Sequence, residues 1–320
     1  MISRLTFERM RDIMGKKVVT EKDVVELLDR FGPMRGAQLL EITAVEALPL
    51  WRICRKSNLL HMEIVGRRYL RLDRVVNGYA RLSPSIRREF LTYTILGTHA
   101  HAAQVREEAA RLRSGITKIS EAKCALAQTA MKECVEELPE ARTLFEHACF
   151  IIAGDVTYGM GHDVPRPERS TGQLVRGSDL DVIVVASDEM PAALIAKLDD
   201  AILKKKHYFL VHPDLREELD YIIKPVARVR EQLRFDTFEH MVACKILHEG
   251  LFLLGSSSVF KQVKDLVAQH GIPEHIEEMN ASAAGSREEA ERSLLNLPED
   301  ARGGAYIDLF YTREEGDEIY

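Results

Sequence analysis

The sequence lacks several features that would assign it to a special class of protein. No apolar run approaches the roughly 18 residues that a membrane span requires. Residues 1–17 are charged throughout and contain no apolar signal core, which argues against secretion. Hydrophobic residues make up 46% and charged residues 29% of the chain, and these fractions exclude collagen-like, low-complexity and wholly disordered proteins.

Cysteine is scarce too. The chain has five cysteines in 320 residues, and none of them forms a CxxC pair. An odd number cannot pair completely within one chain, so reduced thiols are the simplest interpretation. We therefore predict a cytoplasmic protein with no membrane partner, long enough for two or three domains.

Positive charge is concentrated in one part of a mildly acidic chain. The whole chain has 44 Lys and Arg against 50 Asp and Glu, a net charge of −6. Residues 51–100 alone contain 10 basic and 3 acidic residues. Such a segment is typical of a face that binds a polyanion such as nucleic acid, although Lys and Arg also solvate ordinary surfaces.

The N-terminal part resembles a winged helix-turn-helix domain. Apolar spacing predicts helices over 21–31, 35–42 and 45–56, and residues 59–72 read as a β-hairpin around Gly66. The resemblance covers about 20–75 and implies nucleic-acid contacts from the third helix and the wing. The residues in those two places are Arg52, Arg55, Lys56, Arg67, Arg68 and Arg71. Protein docking or dimerisation is the alternative role for such a domain.

A long helical region follows. Residues 84–96 and 102–138 are predicted to be helical, and the second stretch has a heptad-like apolar seam interrupted by Lys123. Ser114-Gly115 is a predicted break. The seam could form a homodimer through residues 100–138, or the helices could be a connector packed on their own domain.

The pattern then changes to alternating strands and helices. Apolar strands are predicted at 148–154, 181–187 and 219–226, with a helix at 191–206. The remainder from Phe235 is helical and ends in a polar, acidic tail. We predict an α+β multidomain protein with a winged-helix-like domain, a helical connector, a mixed α/β domain and a helical C-terminal region, over 1–80, 81–140, 141–232 and 233–320.

An acidic pair opens the second strand of the α/β region. Asp179 and Asp181 are two residues apart, so in a strand their side chains share a face. Two adjacent carboxylates are costly unless a cation lies between them. Mg²⁺, or Mn²⁺, prefers oxygen ligands and is often shared with substrate phosphates. Asp220 on the third strand could supply a third carboxylate, which predicts a metal site of Asp179, Asp181 and Asp220.

The first strand ends in Gly154, where a turn can direct backbone N–H groups towards an anion. Strand, glycine turn, acidic pair and a third acidic strand together resemble the polymerase β-like nucleotidyltransferase superfamily over about 140–270. The resemblance implies an NTP substrate, metal-binding catalytic carboxylates at the three aspartates, and a nucleotide-binding turn. The residues of that turn and of the Ser-Asp-Leu-Asp motif are Gly154, Asp155, Thr157 and Ser178.

Two features depart from the family pattern. Asp155 stands where family members have a small residue that contacts triphosphate, and residues 156–178 form a long spacer. The spacer contains Arg166, Arg169, Ser170 and Thr171, which could reach phosphates or belong to an ordinary loop. We predict a nucleotidyltransferase that moves a nucleoside monophosphate from an NTP onto an acceptor hydroxyl. Nucleic acid is one candidate for the acceptor. The alternative is a DNA-binding regulator whose nucleotidyltransferase-like domain is degenerate and only senses a nucleotide.

Overall fold

A computed structural model describes residues 19–298 and 306–320, apart from the side chain of Glu314. In these ranges the chain is an α+β fold with several small sheets, as predicted at that level. It divides into two compact units. The terminal unit comprises the described residues of 1–69, 82–115 and 284–320, and the central unit comprises 70–81 and 116–283. The charged stretch 1–17 lies outside the described residues.

The terminal unit has short helices around a three-stranded sheet. Thr20 caps the first helix and Gly32, at φ 80°, ends it. The elements are α1 Glu21–Phe31, β1 Met34–Arg35, α2 Gly36–Thr43, α3 Ala47–Lys56, β2 Leu60–Ile64, α4 Ile86–Tyr93 and β5 Thr94–Thr98. The strands run in the order β1-β5-β2, and both neighbouring pairs are antiparallel. The chain's C-terminal part completes the core, in which Phe310 packs on Trp51 at 5.8 Å between ring centroids.

The predicted hairpin over 59–72 is wrong, although both strands exist. β2 pairs with β5, which lies more than 30 residues further along the chain, and not with its neighbour in sequence. The second strand, β3 Tyr69–Leu72, pairs with β4 Ala80–Ser83. Local turn chemistry at Gly66 favours a hairpin, but β5 buries its apolar residues in the core and offers β2 a better partner.

The helical region is more continuous than predicted. α5, Ala102–Glu136, passes through Ser114-Gly115 without a break, because one glycine costs a helix only about 1 kcal/mol. Lys123 interrupts the seam for a reason: its ammonium contacts the Glu217 carboxylate at 2.5 Å. Val105, Ala109, Ile116 and other residues of the seam are buried within the chain. The homodimer through 100–138 stays a prediction.

The central unit is built on a mixed four-stranded sheet. The strands are β6 Ala148–Ala153, β9 Leu180–Ala186, β10 Leu219–Pro225 and β11 Leu251–Gly255. Their order is β10-β9-β6-β11, with β9 and β10 parallel and the other pairs antiparallel. Between β6 and β9 the spacer forms a small hairpin of β7 Pro165–Pro167 and β8 Leu174–Arg176. The three apolar strands predicted from the sequence are all present.

Helices cover both faces of this sheet. Val182 and Val184 pack on one side with α5, α6 Ala141–His147 and α7 Ala192–Val211. Ile183 and Val185 pack on the other side. The helices there are α8 Val226–Gln232, α9 Phe238–Glu249, α10 Ser257–Gln269 and α11 Ile272–Leu295. Strands buried on both faces read as continuous apolar runs, which explains why the sequence pattern was clear. Within the described ranges, no helix combines the length of a membrane span with the apolar composition it requires.

Candidate active site

The site lies where β6 ends and β9 and β10 begin. Gly154 directly follows β6 and has φ 77°, a conformation that favours glycine. A Cβ atom on Gly154 would lie 2.3 Å from Oδ2 of Asp181. The backbone at Gly154 therefore lies directly against the Asp181 carboxylate, and no larger residue fits between them.

Asp181 and Asp220 form a rung across the parallel strands. Their Cα atoms are register partners of β9 and β10, so both side chains lie on the same face of the sheet. Asp181 is also the register partner of Ala153, the last residue of β6. The lysine Lys206 of α7 donates to Oδ1 of Asp220 at 2.5 Å. Two carboxylates that are 39 positions apart in the sequence are thus brought together beside Gly154.

The charge of Asp181 is disfavoured at this place. Burial raises the pKa of Asp181 to about 7, and the nearby charges of Asp155, Asp220 and Glu249 act in the same direction. Lys245 opposes them. A carboxylate whose pKa is raised by burial and by like charges favours a cation or a proton as partner.

Asp155 faces the site, which the sequence left open. Its Oδ2 accepts a hydrogen bond from the Ser178 hydroxyl at 3.0 Å and lies 3.8 Å from Nε2 of His162. Ser178 Oγ in turn accepts from the backbone N–H of His162 at 3.2 Å. Thr157, in the 3₁₀ turn after Gly154, donates its hydroxyl to the Gly154 carbonyl at 2.8 Å. The four residues predicted to bind nucleotide therefore surround the end of β6, and their hydroxyls already have partners.

Asp179 has a different environment from Asp181. The carboxylate of Asp179 accepts a hydrogen bond from the Arg166 guanidinium, which also donates to Oε2 of Glu218 at 2.7 Å and to the carbonyl of Gly177 at 3.2 Å. Asp179 directly precedes β9 and Glu218 directly precedes β10. A second pair of carboxylates therefore lies next to the Asp181–Asp220 rung, and one cation from the spacer, Arg166, offsets part of its negative charge.

Sequence reasoning missed one acidic contributor. Glu249 ends α9, and its carboxylate accepts hydrogen bonds from Tyr158 and Lys245. The Lys245–Glu249 pair has the i,i+4 spacing of a helical ion pair, a signal the sequence does carry. The contact with Tyr158 joins residues 91 positions apart, and no local pattern indicates it.

The donor set at the sheet edge consists of carboxylate oxygens, the ligands that Mg²⁺ and Mn²⁺ prefer. Asp181, Asp220 and Asp155 contribute them, and Asp179 would add another. Among the side chains that the structure describes, no three His, Cys, Asp or Glu lie close enough as they stand to hold a metal ion. The donor chemistry fits a hard divalent cation, although Arg166 contacts the Asp179 carboxylate and Lys206 contacts that of Asp220.

The basic residues predicted to contact nucleic acid are mostly engaged elsewhere. In the terminal unit, Arg52 donates to the carbonyls of Leu297 and Pro298. Arg55 lies 3.8 Å from a Glu291 oxygen. Arg68 binds Glu89 at 2.6 Å and Glu291 at 2.9 Å. Lys56 and Arg67 are exposed and Arg71 is half-buried. The third helix thus presents two of its three cations to the chain's own C-terminal part.

None of the protein families, curated proteins or solved structures with which the chain was compared matches it. The features that distinguish the site are the close approach of Gly154 to Asp181, the Asp181–Asp220 rung and the raised pKa of Asp181.

Proposed function

We propose that the central unit is a metal-dependent nucleotidyltransferase that moves a nucleoside monophosphate from an NTP to an acceptor hydroxyl. One observation carries the proposal: Asp181 and Asp220 share a rung of the parallel strands, and Asp181 lies directly against the glycine that follows β6. The mixed sheet with helices on both faces provides the scaffold that such a site needs.

Each residue has a role in this proposal. Asp181 and Asp220, together with Asp179, would hold Mg²⁺ or Mn²⁺, which when bound supplies positive charge to the reacting phosphates. Gly154 lets the substrate approach the backbone at the end of β6. Asp220 accepts the proton of the acceptor hydroxyl as that oxygen bonds to the α-phosphorus. The bond from the α-phosphorus to the bridging oxygen breaks, and pyrophosphate leaves.

The test measures pyrophosphate release and transfer of label from α-labelled NTPs in the presence of Mg²⁺. We expect Asp181→Asn and Asp220→Asn to lose at least about 100-fold of the activity, the size typical of removing an electrostatic group from a reaction centre. Asp200→Asn is the matched control, because Asp200 is exposed on α7 and, among the described residues, its ion pair is with its helical neighbour Lys204. Unchanged release in Asp181→Asn would refute the proposal.

The nucleic-acid acceptor and the regulator alternative rest on the terminal unit. The contacts of Arg52, Arg55 and Arg68 with the C-terminal part oppose direct DNA binding by the third helix in this conformation. We therefore rank the DNA-binding regulator second. Comparing RNA, DNA, protein and small-molecule acceptors in the transfer assay separates these roles, and salt-dependent DNA binding without transfer would favour the regulator.

A further inference from the structure

The pair Asp179 and Glu218 holds a cation that belongs to the protein itself. One guanidinium nitrogen of Arg166 donates to both carboxylates, and Nε of Arg166 donates to the Gly177 carbonyl. The Arg166 side chain is only 16% exposed and that of Glu218 only 14%. A charge-assisted contact of this kind is stronger than a surface ion pair, because solvent screens it less.

The hairpin that presents Arg166 is firmly built. Arg166 lies on β7 opposite Val175 of β8. Glu168, which follows β7, accepts hydrogen bonds from the backbone N–H and hydroxyl groups of both Ser170 and Thr171. Burial would raise the pKa of Glu168, but these hydrogen bonds outweigh burial and lower it to about 2. The ionised Glu168 carboxylate thus holds the turn between β7 and β8 in place.

The other end of the hairpin is also fixed. The ammonium of Lys123 on α5 donates to the carbonyl of Arg176, the last residue of β8, at 2.8 Å. The same ammonium contacts the carboxylate of Glu217 at 2.5 Å, and Glu217 directly precedes the Arg166 partner Glu218. Lys123 and Glu217 are both buried. Arg166 and its two carboxylate partners are therefore held from both sides.

We propose that Arg166 is a positioning residue that occupies the Asp179 carboxylate and competes there with a divalent cation. The inference rests on the proposed function, because it concerns access of the metal to one of the proposed ligands. A cation in contact with a carboxylate lowers the affinity of that carboxylate for a second cation. The spacer, which departs from the family pattern in length, thus keeps Asp179 from the metal as long as Arg166 contacts its carboxylate.

The test measures binding of Mn²⁺ alone to the full chain, by the electron paramagnetic resonance signal of free Mn²⁺. We expect Arg166→Gln to lower the Kd for Mn²⁺ about tenfold. A positive charge in contact with a metal-binding carboxylate weakens metal binding by at least the free energy that corresponds to this factor. Arg166→Lys keeps the positive charge, so its affinity for Mn²⁺ should stay close to the weak affinity of the wild type. Arg142→Gln is the matched control, because Arg142 is 91% exposed and its ion pair within the described part of the chain is with Glu146 on its own helix.

A second variant keeps the proposal testable if Arg166→Gln does not fold, as judged by circular dichroism. Asp179→Asn in the otherwise unchanged chain should alter the Kd for Mn²⁺ less than twofold, because Arg166 already holds that carboxylate. In the Arg166→Gln background, the same change should remove the tenfold gain. An Arg166→Gln variant that binds Mn²⁺ no more tightly than wild type overturns the proposal, as does a large loss in Asp179→Asn alone.

The outcome is separable from that of the proposed function. Tighter Mn²⁺ binding in Arg166→Gln without any transfer of label supports competition between Arg166 and the metal, and it refutes the proposed nucleotidyltransferase activity. Transfer of label together with unchanged Mn²⁺ binding in the variant has the opposite meaning. It supports the nucleotidyltransferase activity and refutes the proposed role of Arg166.

Discussion

Neutralising Asp181 should make the protein more stable in the absence of metal. The pKa of Asp181 is raised from 3.8 to about 7 by burial and by Asp155, Asp220 and Glu249. Ionisation of this carboxylate therefore destabilises the folded state relative to the unfolded chain. Each unit of pKa corresponds to about 1.4 kcal/mol, which gives a ceiling of about 4 kcal/mol. Asp181 is half-buried and not fully enclosed, so solvent screens part of this cost, and we expect about 2 kcal/mol.

The assay is chemical denaturation of wild type and Asp181→Asn in EDTA as a function of pH. An acid with a raised folded pKa contributes no cost below its unfolded pKa, and the cost is complete above its folded pKa. The variant should therefore equal wild type at about pH 4 and exceed it in stability above about pH 7. The control Asp200→Asn should show no such difference. If the proposed function is right, Mg²⁺ should reduce the difference in stability between the variant and wild type, because the metal would bind the folded wild type and stabilise it.

Refutation is simple to recognise. An Asp181→Asn variant that is less stable than wild type at pH 8 in EDTA would mean that the carboxylate makes favourable contacts, and that the like charges around it do not dominate.

Three further perturbations follow from the packing of the central unit. Gly154→Ala should cost about 1 to 3 kcal/mol and weaken Mn²⁺ binding, because its Cβ would lie 2.3 Å from Asp181; unchanged Mn²⁺ affinity contradicts this. Lys123→Met should cost about 3 to 5 kcal/mol in urea denaturation by leaving buried Glu217 unpaired, and adding Glu217→Gln should recover most of it. Glu168→Gln should cost about 1 to 3 kcal/mol at pH 7. That loss should shrink as pH falls from about 4.5 towards about 2, where the wild-type carboxylate becomes protonated; a pH-independent difference argues against it.

The sequence by itself determined the strands and the polarity of the candidate site. Strands β6, β9 and β10 are covered on both faces, so their apolar runs are visible without knowledge of the fold. The Asp179-Leu-Asp spacing and the glycine after β6 are local features, and they predicted where carboxylates would gather. Periodicity also identified α5, and the break predicted at Gly115 is absent because good helix formers surround this glycine.

Only the tertiary structure decided pairing and contact. The turn at Gly66 favoured a local hairpin, but burial of β5 gave β2 a distant partner. The sequence predicts a nucleic-acid face at Arg52 and Arg55, but the C-terminal part of the chain contacts both side chains. Asp179 and Asp181, equivalent in the sequence, differ because Arg166 reaches only the first. Strand register, long-range packing and the choice between competing partners depend on free energies summed over the whole core. A local sequence pattern therefore does not predict them.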